Sequence, residues 1–149
     1  LIYFLDACLF NSNHAAGVIA HTRDDAEDLF DNKVKFAYDN LPEWLKSEIR
    51  ADTDSAKKLA FSNGSSFTVG TSLRSGTYQK LLISEYGKVS AKFPEKAREI
   101  KTGALNTVEI GQQIFVESTA EGKTGEFFEL CEQSRKLQDQ TKELTRLEP

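Results

Sequence analysis

Apolar positions along the chain change their spacing several times, and each change marks an element. Ile2 to Phe10 is apolar almost throughout and runs into the turn-forming Asn11-Ser12-Asn13, which predicts a helix over 1–10 closed by a turn. Ala15 to Ala20 is a short unbroken apolar run, as expected for a strand buried on both faces of a parallel sheet. Thr22 followed by Asp25 gives a helix start in capping-box form. From there Ala26, Leu29, Phe30, Val34, Ala37 and Leu41 recur at helical spacing, and Pro42 is expected to stop the helix. Trp44 could stack on a base, but is expected to cover the core beneath a short turn. The spacing then drops to two: Leu59 and Phe61 before Asn63-Gly64, Phe67 and Val69 after it. This predicts a hairpin over 58–69 with a two-residue turn, both turn residues at positive φ. Leu81-Leu82-Ile83 and Ile114-Phe115-Val116 read as two further buried strands. Pro94 opens a helix with Ala97, Ile100, Ala104 and Leu105 inward. Thr124 begins another, with Phe127, Phe128, Cys131 and Ser134 on one side and a polar, solvated tail after Lys136.

Strands alternating with helices predict an α/β fold, a parallel sheet with helices on both faces. In such sheets the ligand crevice lies beyond the carboxyl ends of the strands. Candidate chemistry is therefore expected at His21-Thr22, Ser84-Glu85 and Glu117-Ser118-Thr119. No internal repeat or low-complexity segment interrupts the pattern.

Composition narrows the class. The 149 residues are 39% apolar, with ten Phe, four Tyr and one Trp, so the chain is expected to fold as a single domain over 1–149 rather than stay disordered. No apolar run reaches membrane-spanning length and no leader pattern is present. Cys8 and Cys131 lack any paired spacing, which argues against a disulfide framework or zinc ribbon and fits a reducing cytoplasm. A net charge of −4 excludes a polybasic nucleic-acid binder but leaves local phosphate contacts open. There is no Met, so Leu1 is not expected to be a translation start and the chain is expected to be a piece of a longer polypeptide.

Glu85 is the sharpest chemical candidate. It follows the buried run 81–84, so a rigid strand would deliver its carboxylate to the crevice, where a carboxylate can orient or deprotonate an attacking water. Spacing alone fits a charged residue leaving a strand for solvent at least as well. Ser118 and Thr119 could sense a phosphate or a water at the next strand end, or simply cap a turn. Arg74, in the loop Gly70 to Gly76, could reach transition-state charge or be a surface arginine. That loop has no closing Gly-Lys-Ser/Thr and is not a phosphate-cradling P-loop. His14 and His21 flank one strand and do not make a convergent metal pair. No Gly-x-Ser-x-Gly elbow or Cys–His nucleophile is present. Lysines between Lys57 and Lys101 alternate with acids, as on a solvated face.

Several segments, in this order and spacing, resemble the ATPase domain of the large subunit of tailed-phage DNA-packaging terminases. They are Ala16 to Asp28, Val34 to Leu45, Gly70 to Thr77, Ile83-Ser84-Glu85-Tyr86-Gly87-Lys88 and Glu117-Ser118-Thr119-Ala120-Glu121-Gly122. The resemblance implies a P-loop NTPase-like α/β fold, with a parallel core, flanking helices and an inserted β-hairpin, truncated at its N-terminus. By the same resemblance, Glu85 takes the place of the catalytic carboxylate at the end of a Walker B strand. Ser84 stands where an Asp is usual and is expected to reach magnesium through a water. Ser118 and Thr119 take the place of a coupling motif, and Arg74 that of an arginine contacting the γ-phosphate. The function implied is Mg-ATP hydrolysis driving viral DNA into a procapsid, in the cytoplasm of the bacterial host. Implied partners are double-stranded DNA, the portal and a small terminase subunit. The Walker A loop and nuclease domain of the family have no counterpart in the sequence, so ATP and Mg are expected in the intact parent protein and little turnover from this piece alone. The absent phosphate-loop strand is expected to leave a sheet edge that self-associates. A helicase-like P-loop ATPase and a non-catalytic prophage remnant or assembly module remain the alternatives.

Overall fold

The computed structural model describes residues 1–73 and 76–146, with only the backbone described for Leu105 and residues 143–146. Among the described residues seven α-helices, a π-helical turn and six strands follow in the order α1 (Ile2–Phe10), β1 (Ala15–Ile19), α2 (Arg23–Leu29), the π-helical turn (Phe30–Lys35), α3 (Phe36–Asp39), α4 (Glu43–Glu48), β2 (Ala51–Ser55), β3 (Lys58–Phe61), β4 (Ser66–Gly70), β5 (Tyr78–Ile83), α5 (Tyr86–Lys92), α6 (Pro94–Thr107), β6 (Val108–Val116) and α7 (Glu126–Arg146). The strands form one sheet in the order β2-β3-β4-β1-β5-β6. From β4 to β6 every pairing is parallel, while β2 and β3 are antiparallel to their neighbours. The expected α/β architecture is present.

Strand β1 is apolar throughout because both its faces are covered. Ala16, Val18 and Ala20 belong to a core with Phe4, Leu5 and Cys8 of α1 and Phe30 and Val34 of the π turn. Ile19 faces the opposite core, built on Leu81, Ile83, Tyr86, Val89, Ala97 and Ile100. The two-residue alternation of a strand thus sorts side chains into two helical layers. Thr22 caps α2 as expected, its hydroxyl accepting from the Asp25 amide at 3.1 Å.

Several expectations need correcting. The hairpin is closed by three residues, because Leu59 pairs with Phe67 and Ala60 with Ser66, with the Phe61 amide bonded to the Ser65 carbonyl. Only Gly64 of the turn has positive φ (81°), the form of a three-residue turn with a bulge rather than a two-residue Asn-Gly turn. The hairpin is part of the main sheet, since β4 is also the parallel neighbour of β1. Trp44 does not cover the core: it is 67% exposed, and Leu45 beside it on the unexpected helix α4 is buried instead. The helix starting at Thr22 passes through the π turn and ends at Asp39, short of Pro42. The run 114–116 is not a strand buried on both faces. It ends an edge strand on which Phe115 is 40% exposed and packs against Phe4 at 5.5 Å between ring centres. Helix α7 begins at Glu126 rather than Thr124, and Ser134 on it is exposed, while Phe127 and Leu130 pack inward. Strand β2 and helix α5 were not expected: β2 reads Ala-Asp-Thr-Asp-Ser and lies exposed at the sheet edge. Among the described residues no helix is long and apolar enough to cross a membrane.

The hairpin turn is bound to the turn after α1. The Asn63 amide group donates to the carbonyls of Cys8 (2.9 Å), Leu9 (3.1 Å) and Asn11 (3.2 Å), and its side-chain oxygen accepts from the Ser65 amide (2.9 Å). A helix end leaves carbonyls without partners, so one side chain here satisfies the terminus of α1 from a distant strand. Ser65 extends the lock, taking the His14 amide at 3.0 Å and donating to Asn11 O at 2.6 Å. Replacing Asn63 with Ala removes the side-chain donor to the Cys8 and Leu9 carbonyls, while Asn11 O keeps the Ser65 hydroxyl. We expect a loss of about 1–3 kcal/mol, read as a lower urea midpoint with an unchanged slope.

Candidate functional site

The site is built at the carboxyl ends of three adjacent strands, where the backbone ladder runs past the strands themselves. The Ser84 amide donates to Ile19 O (2.9 Å), and the Glu117 amide donates to Ile83 O (3.0 Å). The next amide in the series, that of Tyr86, donates to Glu117 O (3.1 Å). Residues 84 and 117, distant in sequence, are therefore neighbours in fixed register.

Glu85 sits at the turn between β5 and α5 with φ 54° and ψ 37°. A left-handed backbone in a residue with a Cβ costs about 1–3 kcal/mol and persists only where the surroundings over-determine it. Its carboxylate meets Lys88 Nζ at 3.1 Å through one oxygen and the hydroxyls of Ser118 and Thr119, each at 3.4 Å, through the other. Lys88, three residues along α5, is the main cause holding the Glu85 carboxyl below its usual range, with the Thr119 amide and hydroxyl adding to it. Both side chains are about a third open to solvent, so the ion pair is partly screened.

The approach of Ser118 and Thr119 depends on Gly87. A Cβ there would lie 2.8 Å from Ser118 Oγ and 2.9 Å from the Thr119 carbonyl oxygen, so only glycine lets the loop after β6 settle on α5. Ser84 donates its hydroxyl to Glu117 Oε1 at 2.5 Å. A cavity of about 210 Å³ opens beside the strand ends, lined in part by His21, Asp25, Asp28, Ser84, Glu85 and Lys88. Across it His21 Nδ1 lies 3.4 Å from the Asp25 carboxylate, which the Thr22 hydroxyl holds below its usual range, with His21 contributing.

The structure thus brings together Ser84, Glu85, Ser118 and Thr119. Arg74 lies outside the described residues, as does the side chain of Leu105. Lys88 and Gly87 escaped the sequence reading as members of the site, and Glu117, at a strand end the sequence marks for chemistry, was given no role or partner there. A lysine one helical turn after the acid was a usable signal for Lys88; the contact of Glu117 with Ser84 depends on the strand pairing. His14 takes no part: it lies at the opposite end of β1, where burial and nearby Lys80 lower its pKa. Cys8 is fully buried, and burial pushes its thiol up to about 12, so it is an inert core residue. Among the described residues no cluster of three or more His, Cys, Asp and Glu is placed to hold a metal ion.

Parallel strands ending at one acidic corner invite comparison with known folds. The chain superposes on the crystal structure of the HK97 bacteriophage large terminase with a TM-score of 0.68 over 91% of its length. The fold is that of a phage large terminase. Sequence identity in the match is 20%, and the chain spans 29% of that terminase. No protein-family model and no curated protein matches the sequence. The likeness therefore places the terminase fold on this chain, and the chemistry has to be argued from the site.

That site makes a direct prediction. Lys88→Met removes the cation facing Glu85 without touching its hydroxyl partners, so the Glu85 carboxyl should rise toward the ordinary glutamate value of 4.5. A lowered folded pKa means stabilisation that is present above the ordinary range and lost as pH falls through the lowered value, and the variant should lose less stability in that acid window. Side-chain carboxyl ¹³C titration of both proteins measures the shift.

Proposed function

We propose that this chain is part of the ATPase body of a DNA-packaging terminase large subunit, with Glu85 as the carboxylate that acts on the attacking water. The observation that carries the reading is the position of Glu85: left-handed, at the carboxyl end of a central parallel strand, with its carboxylate shared between Lys88 and two hydroxyls of the adjacent strand end. The terminase fold supports it. Because the chain spans 29% of the matched terminase, the activity is assigned to the polypeptide that carries this segment.

The residues present suit the cofactor this reading requires. Ser84, Glu85 and Glu117 offer only oxygen donors at the strand ends, the chemistry of a hard cation that keeps several waters and takes one or two carboxylates beside phosphate. Mg²⁺ bound with ATP would neutralise phosphate charge; Ser84 would meet it through water. Glu85 does the rest from the protein side. Paired with Lys88 it stays ionised and can orient a water through its lone pairs, and loss of that pairing would raise its basicity. Ser118 and Thr119 touch the same carboxylate and lead through the loop to α7, so a shift in that loop changes the partners of Glu85 directly. This is a physical basis for coupling hydrolysis to movement. Arg74, by its place in the sequence ahead of residues 78–83, is the proposed contact to the γ-phosphate. Double-stranded DNA, the portal and a small terminase subunit are the proposed partners, in the cytoplasm of a bacterial host.

Glu85→Gln keeps the size and the hydroxyl contacts while removing the charge. In the polypeptide carrying this segment it should lower ATP turnover by about 10²–10⁴-fold, measured by phosphate release, with the circular dichroism spectrum unchanged. Turnover retained in that variant would sink the assignment.

A further inference from the structure

We propose that Glu117 is a positioning residue that acts with Ser84 as one unit, giving the Ser84 position the negative charge with which it faces a divalent cation. The inference rests on the ATPase reading above and adds to it a residue on a different strand. Ser84 ends β5 with a hydroxyl that carries no charge of its own. It gives its single proton to Glu117 Oε1 at 2.5 Å, which leaves the hydroxyl lone pairs and the second Glu117 oxygen as hard donors at the same strand ends as Glu85.

The backbone fixes this pairing. Ile83 and Val116 are partners in the parallel β5–β6 register. The Glu117 amide binds Ile83 O and the Glu117 carbonyl accepts from Tyr86 N, so position 117 is clamped to residues on either side of the Ser84-Glu85 pair. Glu117 is thus anchored at both its backbone groups while its side chain crosses to the neighbouring strand end. A carboxylate that holds and polarises the group next to a metal typically contributes 10–100-fold to its affinity. The Ser84 hydroxyl with its Glu117 partner is not a closed set of protein ligands, and a cation held there would fill its remaining positions with water and phosphate.

Mn²⁺ alone, added to the ¹⁵N-labelled chain without nucleotide, tests the unit apart from turnover. Paramagnetic broadening is expected at the amides of residues 84–86 and 117–119. Glu117→Gln should raise the midpoint of that broadening about tenfold, and adding Ser84→Asp to Glu117→Gln should bring it back, which a merely structural role for Glu117 would not produce. Amide spectra recorded before metal addition verify that each variant is folded. Equal midpoints in the wild type and Glu117→Gln, absence of broadening at these amides, or failure of Ser84→Asp to restore binding would each overturn the inference. Such a result would leave the Glu85→Gln turnover test standing, and because metal binding is read without turnover the two failures are distinguishable.

Discussion

The structure depends on β1 being paired on both edges. A strand whose two faces are apolar and covered by helices cannot leave backbone groups to solvent, so each edge must find a partner. Strand β4 takes one edge over five residue pairs and β5 takes the other over four, both parallel. Everything functional hangs on that choice. Pairing with β4 draws in the hairpin and, through Asn63, the end of α1; pairing with β5 sets the height at which Ser84 and Glu85 leave the sheet.

The two ends of β1 have been put to different uses. At its amino end Asn63, Ser65 and the Asn11–Asn13 turn exchange hydrogen bonds that hold α1 to the sheet. At its carboxyl end the groups are charged, partly open to water and gathered around a cavity. The strained backbone of the chain follows the same division. Asn13, an amide residue that tolerates the left-handed region, takes it in the structural turn, whereas Glu85 takes it at the charged end, where nothing about its side chain eases the cost. Strain of that kind persists because the Tyr86 amide and the close seat of Gly87 leave the chain no other course.

The two edges of the sheet also differ. Strand β2 carries Asp52 and Asp54, has an irregular register and is tied to the π turn by the ion pair between Lys35 and Asp54, features that discourage pairing with another chain. Strand β6 carries one acid, Glu109, and fully exposes Ile110, yet its last residues reach the functional corner. Its edge position explains why a run as apolar as Ile-Phe-Val is half exposed, with Tyr3 and Phe4 of α1 packing against Phe115.

The sequence by itself determined the local terms. Unbroken apolar runs at 15–20 and 81–83 specify strands covered on both faces. Thr22 and Asp25 specify a helix start, Pro94 another, and the alternation around residues 59–69 a hairpin. From these the α/β class and the importance of strand ends follow, and Glu85 with Ser118 and Thr119 can be picked out, because they depend on periods and caps that neighbours in sequence impose. Tertiary structure decided the rest. Polar β2 is a strand only because β3 offers it a partner, and Trp44 is exposed because Leu45, one position along a short helix, faces inward. Lys88 joins the site through a helical turn, and Glu117, already at a marked strand end, meets Ser84 through a strand register. A contact between residues 84 and 117 is set by which strands lie side by side, and no local pattern encodes that choice; it is made when the apolar faces of the whole chain are buried together.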